Sequence, residues 1–182
     1  MNTPNGLDEV IKVFGDPRNA DGTLNESWEG QNIRRVPPPP QWQLYYQDDH
    51  LGLVKISGIR IHRLVADGFV AVLDDLFERA REEVANTNDD DKVRQFLHQK
   101  RMDANSGGFN FRSKVGAKGI SMHSFGIAID WDADHNPQEK RGEPLRTTFP
   151  DWWFQTWNKH GWVDGRNFPR RDPMHVQFAS GV

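Results

Sequence analysis

Leu7, Val10, Ile11 and Phe14 fall on one face of a helix, and Gly15 followed by Pro17 ends it. A longer stripe of Val65, Phe69, Val72, Leu73, Leu76 and Ala80 predicts an amphipathic helix over about 64–84, with charged residues on its other face. A shorter helix is expected over 90–99, where the Asp89-Asp90-Asp91 run suits the positive end of the helix dipole. DWWFQTWNKH at 151–160 reads as a further helix, closed by Gly161.

Between these lie shorter alternating stretches. LVKISGIRI at 53–61 predicts a strand or paired loop on either side of Gly58. Ser106-Gly107-Gly108 reads as a turn leading into a short strand, GFNFR, at 108–112, and the loop SKVGAKG follows it. GIAID at 126–130 reads as a buried strand, and the alternation from His175 predicts an edge or half-buried strand. From Asp16 to Gln41 there is no periodicity, and Pro37 to Pro40 is a stiff polyproline segment, so an extended arm is expected there. Residues 1–182 then read as a single domain. An N-terminal helix and proline-rich arm at 1–60 pack on a helical and catalytic core at 61–182.

Composition narrows the function classes. With 23 Lys plus Arg against 26 Asp plus Glu, the net charge of −3 gives no footprint for nucleic acid. No apolar run reaches the roughly 18 residues of a membrane span, and the start MNTPNGLDEVIKVFG has neither the basic nor the apolar region of a secretory signal. Synthesis in the cytoplasm is expected on that basis, with no membrane partner. The absence of Cys excludes disulfides and thiolate sites, leaving His, Asp and Glu as metal ligands. Of the seven Trp, Trp153 and Trp157 share a helix face and suit the core, whereas Trp131 and Trp162 are candidates to line a cleft.

The candidate chemistry begins with SMHSFGIAID at 121–130. In one continuous strand His123 and Asp130 would face opposite sides, so they converge only if the chain turns between them, and Gly126 permits such a turn. A hydrogen-bonded core pair and a metal site both remain open from this stretch alone. DPMH at 172–175 adds a carboxylate three residues before a histidine. Hydrolytic zinc sites use three protein ligands, an open position for water and a nearby carboxylate. His123, Asp130 and His175 would supply the ligands, and Asp172 the general base. Arg112 is the candidate cation for the substrate, with a surface salt bridge as its alternative role. Asp132, Asp134 and His135 are rival ligands, while His50, His62, His98 and His160 read as surface or capping residues.

These motifs together resemble the zinc peptidases that include D-alanyl-D-alanine carboxypeptidases, vancomycin-resistance dipeptidases and phage L-alanyl-D-glutamate endolysins. SMHSFGIAID resembles their S-x-H-x-x-G-x-A-x-D signature, DPMHVQF their second motif, and GGFNFR the strand that ends in a substrate-binding arginine. The resemblance is tight over about 105–178 and looser over 7–85. It implies an α+β fold of the kind shared with the hedgehog signalling domain, a small antiparallel sheet flanked by helices.

It also implies one Zn²⁺ on His123, Asp130 and His175, Asp172 as base, and substrate contacts from Arg112 and Ser121. Two departures stand out. Val176 occupies a position usually aromatic, which implies a looser pocket wall, and Val163-Asp164-Gly165 replaces a Gly-Gly turn.

The expected activity is hydrolysis of peptidoglycan stem peptides by a monomer. It would act on the cell wall after release or export, as an L-Ala-D-Glu endopeptidase of endolysin type or a D-Ala-D-Ala carboxypeptidase. A non-catalytic, zinc-containing binding module of the same fold is the alternative.

Overall fold

The computed structural model describes residues 1–85, 88–114, 119–140 and 142–182. Most of the SKVGAKG loop lies outside them. The chain is α+β. In chain order it runs α1 (Leu7–Phe14), α2 (Glu26–Asn32), β1 (Ile33–Val36), β2 (Leu44–Asp48), β3 (Gly52–Ile56), β4 (Ile59–His62), α3 (Ala66–Glu83), α4 (Asp90–Gln99), β5 (Ala104–Gly107), β6 (Ala128–Trp131), α5 (Asp151–Lys159), β7 (Val163–Gly165) and β8 (Asp172–Gln177). Single 3₁₀ turns at Arg63–Val65 and Met122–Phe125 precede α3 and β6.

The four predicted helices form where their apolar stripes fall. Phe69, Val72, Leu73, Leu76, Phe77 and Ala80 bury one whole face of α3. α5 buries Trp153, Phe154 and Trp157, and both helices pack into one core. At roughly 25 cal/mol per Å² of apolar surface removed from water, these buried apolar faces stabilise the fold.

The strands hold more surprises. The main sheet has six strands in the order β3-β2-β5-β6-β8-β7, and it is mixed, because β2 and β5 run parallel. The small antiparallel sheet is a separate pair of β1 with β4. GFNFR is not a strand. Pairing stops at Gly107, so Ser106 and Gly107, expected in a turn, close β5 instead.

β8 lies between β6 and β7 rather than at an edge, and it is buried along nearly its whole length. The stretch expected as an extended arm contains α2, capped by the Asn25 side chain, followed by β1. Trp28 anchors this segment, donating its ring N–H to the Phe14 carbonyl at 3.0 Å. The polyproline run continues the path, and the Trp42 ring N–H reaches the Leu73 carbonyl at 2.6 Å. No helix among the described residues is long and apolar enough to cross a membrane.

Candidate metal centre and its cleft

Between Ser121 and Asp130 the chain makes the turn that the spacing demanded. The Ser121 hydroxyl caps the 3₁₀ turn by accepting from the His123 N–H at 3.3 Å, and Gly126 closes the turn in the left-handed conformation at φ 68°. Only glycine is at ease there. A Cβ at Gly126 would also lie 2.8 Å from the His62 nitrogen and 2.6 Å from the Ile33 side chain. Beyond Gly126 the chain enters β6, whose alternation sends Asp130 to the cleft and Ile129 and Trp131 to the core.

Asp130 and His175 are paired across β6 and β8, with His175 Nδ1 2.9 Å from Asp130 Oδ1. His123 Nε2 lies 3.2 Å from Asp130 Oδ2 and 3.3 Å from His175 Nδ1. One donor atom from each of His123, Asp130 and His175 therefore falls within 4.8 Å of the others. The outward-facing ring nitrogens are also committed. His123 Nδ1–H donates to the Gly108 carbonyl at 2.7 Å, and His175 Nε2–H donates to Gln177 Oε1 at 3.0 Å. Gln177 in turn donates to the Ala179 carbonyl at 3.0 Å.

These bonds direct the lone pair of His123 Nε2 and that of His175 Nδ1 toward the same carboxylate. Three electron-rich atoms so close together require positive charge among them. Burial opposes ionisation of Asp130, yet the neighbouring His123 and His175 hold it well below the usual carboxylate range. Burial likewise works against a charged His175, but Asp130 and Asp172 raise its pKa. The cluster could hold a metal cation, since two imidazoles with one carboxylate are a suitable donor set for a metal such as zinc.

Asp172 opens β8 and lines the same cleft. Burial pushes its carboxyl up to about 6; the charge of His175 opposes this and that of Asp130 adds to it. Its Oδ2 accepts from the Gln138 amide at 2.9 Å, while its Oδ1 is buried without a hydrogen-bond partner. Gly165 makes room for this arrangement, since a Cβ there would lie 2.2 Å from the Asp172 carbonyl oxygen. The Val163-Asp164-Gly165 segment is thus β7 itself, with a register shift at Gly165 where it faces Asp172.

The cleft encloses about 300 Å³, and its lining includes Arg112, Lys114, Ser121, Phe168 and Arg170 beside the metal cluster and Asp172. Arg112 is fixed through its backbone. Its N–H donates to the buried Ser124 hydroxyl at 2.8 Å, and that hydroxyl donates to the Arg112 carbonyl at 2.9 Å. Neither Arg112 nor Lys114 forms an ion pair among the described residues, so the salt-bridge alternative for Arg112 is not what the structure contains.

Residues 115–178 match the family model described as D-alanyl-D-alanine carboxypeptidase. The match spans about a third of the chain, 115–178 of 182 residues, and contains both SMHSFGIAID and DPMHVQF. The carboxypeptidase-family match contains His123, Asp130, Asp172 and His175, while Arg112 lies just before its first residue. Searches among curated proteins and among solved structures return no match.

Several expectations need correction against this geometry. Trp131 and Trp162 do not line the cleft. Both are buried in the aromatic core, where Trp131 packs edge-on to Trp153 and Trp162 packs against Trp157 and Phe178. Val176 also faces the core, so it does not form the cleft wall; Phe168 lies against the His175 ring at 5.8 Å.

The rival ligands sit outside the cluster. Asp132 is buried in a network with Arg101, His135 and Asn136, and Asp134 bonds Gln47 on the surface. His62 is a capping residue as expected, accepting from the Leu64 N–H at 3.1 Å, but it is fully buried. Sequence reasoning missed Gln138, Gln177, Lys114, Phe168 and Arg170. Gln177, two residues beyond His175 on β8, was the one with a readable signal.

Proposed function

We propose that the protein is a zinc peptidase that hydrolyses peptidoglycan stem peptides. The observation carrying this reading is the meeting of His123 Nε2, His175 Nδ1 and the Asp130 carboxylate beside a buried acid whose Oδ1 has no partner. His123, Asp130 and His175 are the zinc ligands, Asp172 is the general base, and Arg112 and Ser121 contact the substrate.

Zinc held there by His123, Asp130 and His175 would lower the pKa of a water and polarise the scissile carbonyl. Asp172 would accept a proton from the attacking water as the water oxygen bonds to the carbonyl carbon. It then delivers the proton to the amine nitrogen as the C–N bond breaks. Burial of Asp172 favours its protonated form, which suits return of the proton to the leaving amine. Arg112, with Lys114 and Arg170 in the same lining, favours substrates carrying free carboxylates, and a guanidinium pairs with such a group through two parallel bonds. Stem peptides, with their D-residues and exposed carboxylates, are that kind of substrate. The wall is then the site of action, whichever route brings the protein there.

The test is digestion of purified cell walls of several chemotypes, with mass spectrometry of the released muropeptides. The expected result is newly freed amines, lost on chelation and restored by Zn²⁺. The masses decide between cleavage at L-Ala-D-Glu and removal of terminal D-Ala. If no chemotype releases amines while the protein still holds zinc, a binding module is the correct reading.

A further inference from the structure

Residues 136–139, in the connection from β6 to α5, are held by two buried polar residues and meet Asp172 through Gln138. Asn136, fully buried, donates to the Asp132 carbonyl at 3.0 Å and accepts from the Thr147 hydroxyl at 2.7 Å and the Thr148 N–H at 2.8 Å. Glu139, also buried, donates its backbone N–H to the Arg171 carbonyl at 2.8 Å and accepts from the Arg146 N–H at 2.9 Å. Gln138 lies between these anchors, and its side-chain amide reaches Asp172 Oδ2 at 2.9 Å.

The loop is therefore fastened by Asn136 and Glu139, which leaves the Gln138 side chain free for another task. A carboxylate only accepts, so the Gln138 group facing it is its NH₂. An aspartate's second torsion is broad and roughly two-fold, so an unheld carboxylate samples many orientations. The bond from Gln138 to Oδ2 restricts that freedom, because Oδ1 is buried with no bond of its own to hold the group. An amide suits this role because it donates a hydrogen bond without titrating at working pH.

We infer that Gln138 is a positioning residue for the Asp172 base, holding Oδ2 and with it the orientation of the whole carboxylate. This rests on the peptidase reading for its consequence, though not for its geometry. Lost positioning of this kind lowers rates roughly 10- to 100-fold.

The experiment compares Gln138→Ala and Gln138→Leu with the wild-type protein, alone and combined with Asp172→Ala. Expected is a fall in kcat of about 10- to 100-fold, with KM, zinc content and thermal midpoint unchanged. In the Asp172→Ala background, adding Gln138→Ala should lower the residual rate no further. An unchanged kcat, a change in KM alone, or an equal loss in both backgrounds overturns the inference.

Crystal structures of the wild type and of Gln138→Ala give a readout that needs no turnover. The Asp172 carboxylate should rotate or split in the variant, and finding it in its wild-type orientation overturns the inference. If instead Asp172→Ala alone keeps full activity, it is the assignment of the base that fails.

Discussion

Asp130 and His175 are direct partners across β6 and β8, and the pairing that sets the register of these strands also brings His175 Nδ1 to 2.9 Å from Asp130 Oδ1. Sheet and metal cluster thus share one geometric constraint. A slip of one residue would turn either side chain to the opposite face. The outer bond from His175 to Gln177 fixes which nitrogen faces inward.

Gln177→Leu should therefore weaken zinc binding by about 10- to 100-fold, while His175→Ala should abolish stoichiometric loading. Competition titration against a chromophoric chelator measures both. Wild-type affinity in Gln177→Leu would show that the ring needs no such support.

Asp172 lines the cleft without belonging to the cluster of converging ligand atoms. Asp172→Asn should accordingly keep about one zinc per chain and lose roughly 10²- to 10⁴-fold in kcat. Metal analysis and muropeptide kinetics on the same preparation check the two halves. Loss of zinc together with activity would make Asp172 a ligand instead.

Arg112 lines the cleft with no acidic partner among the described residues, and its backbone is held by Ser124. Arg112→Ala should raise KM for a carboxylate-bearing stem peptide by at least about 10-fold, the value of one charge-assisted bond. An analogue amidated at its carboxylates should lose the same factor with wild-type enzyme. It should show little further change with the variant. Equal losses on both substrates would point to a folding defect.

Much of this arrangement was legible in the residues because it depends on local spacing. The stripe in α3, the stop after α1 and the turn at Gly126 all follow from neighbours in sequence. The elements that escaped are held by distant partners. β5 reads ANSG, with no alternation of its own, and exists because β2 and β6 pair with it on either side.

α2 buries only Trp28, so its sequence carries no stripe to detect. Gln138 becomes significant only through a contact 34 residues away in the chain. Trp131 was misjudged for a different reason. Its proximity to Asp130 in sequence suggested the cleft, whereas strand alternation places adjacent residues on opposite faces.

His62 offers a test of stability rather than catalysis. Burial depresses its pKa to about 4; the Phe14 carbonyl opposes the shift and Arg63 adds to it. The unfolded state binds the proton more readily, at about 6.5. Stability from this residue is complete above about 6.5 and is lost as pH falls toward 4, by up to about 3 kcal/mol. Urea denaturation of the wild type and of His62→Asn, which keeps a capping side chain, should differ in slope with pH across this window. Parallel curves would mean that His62 binds its proton equally readily in the folded and unfolded states.

The three ligating side chains stand on or beside the central strands, whereas the contact that holds Asp172 Oδ2 comes from a loop fastened by Asn136 and Glu139. On the peptidase reading, metal loading and turnover would then depend on different parts of the chain. Substitutions in that loop would then change the pace of turnover while leaving the metal site as it is.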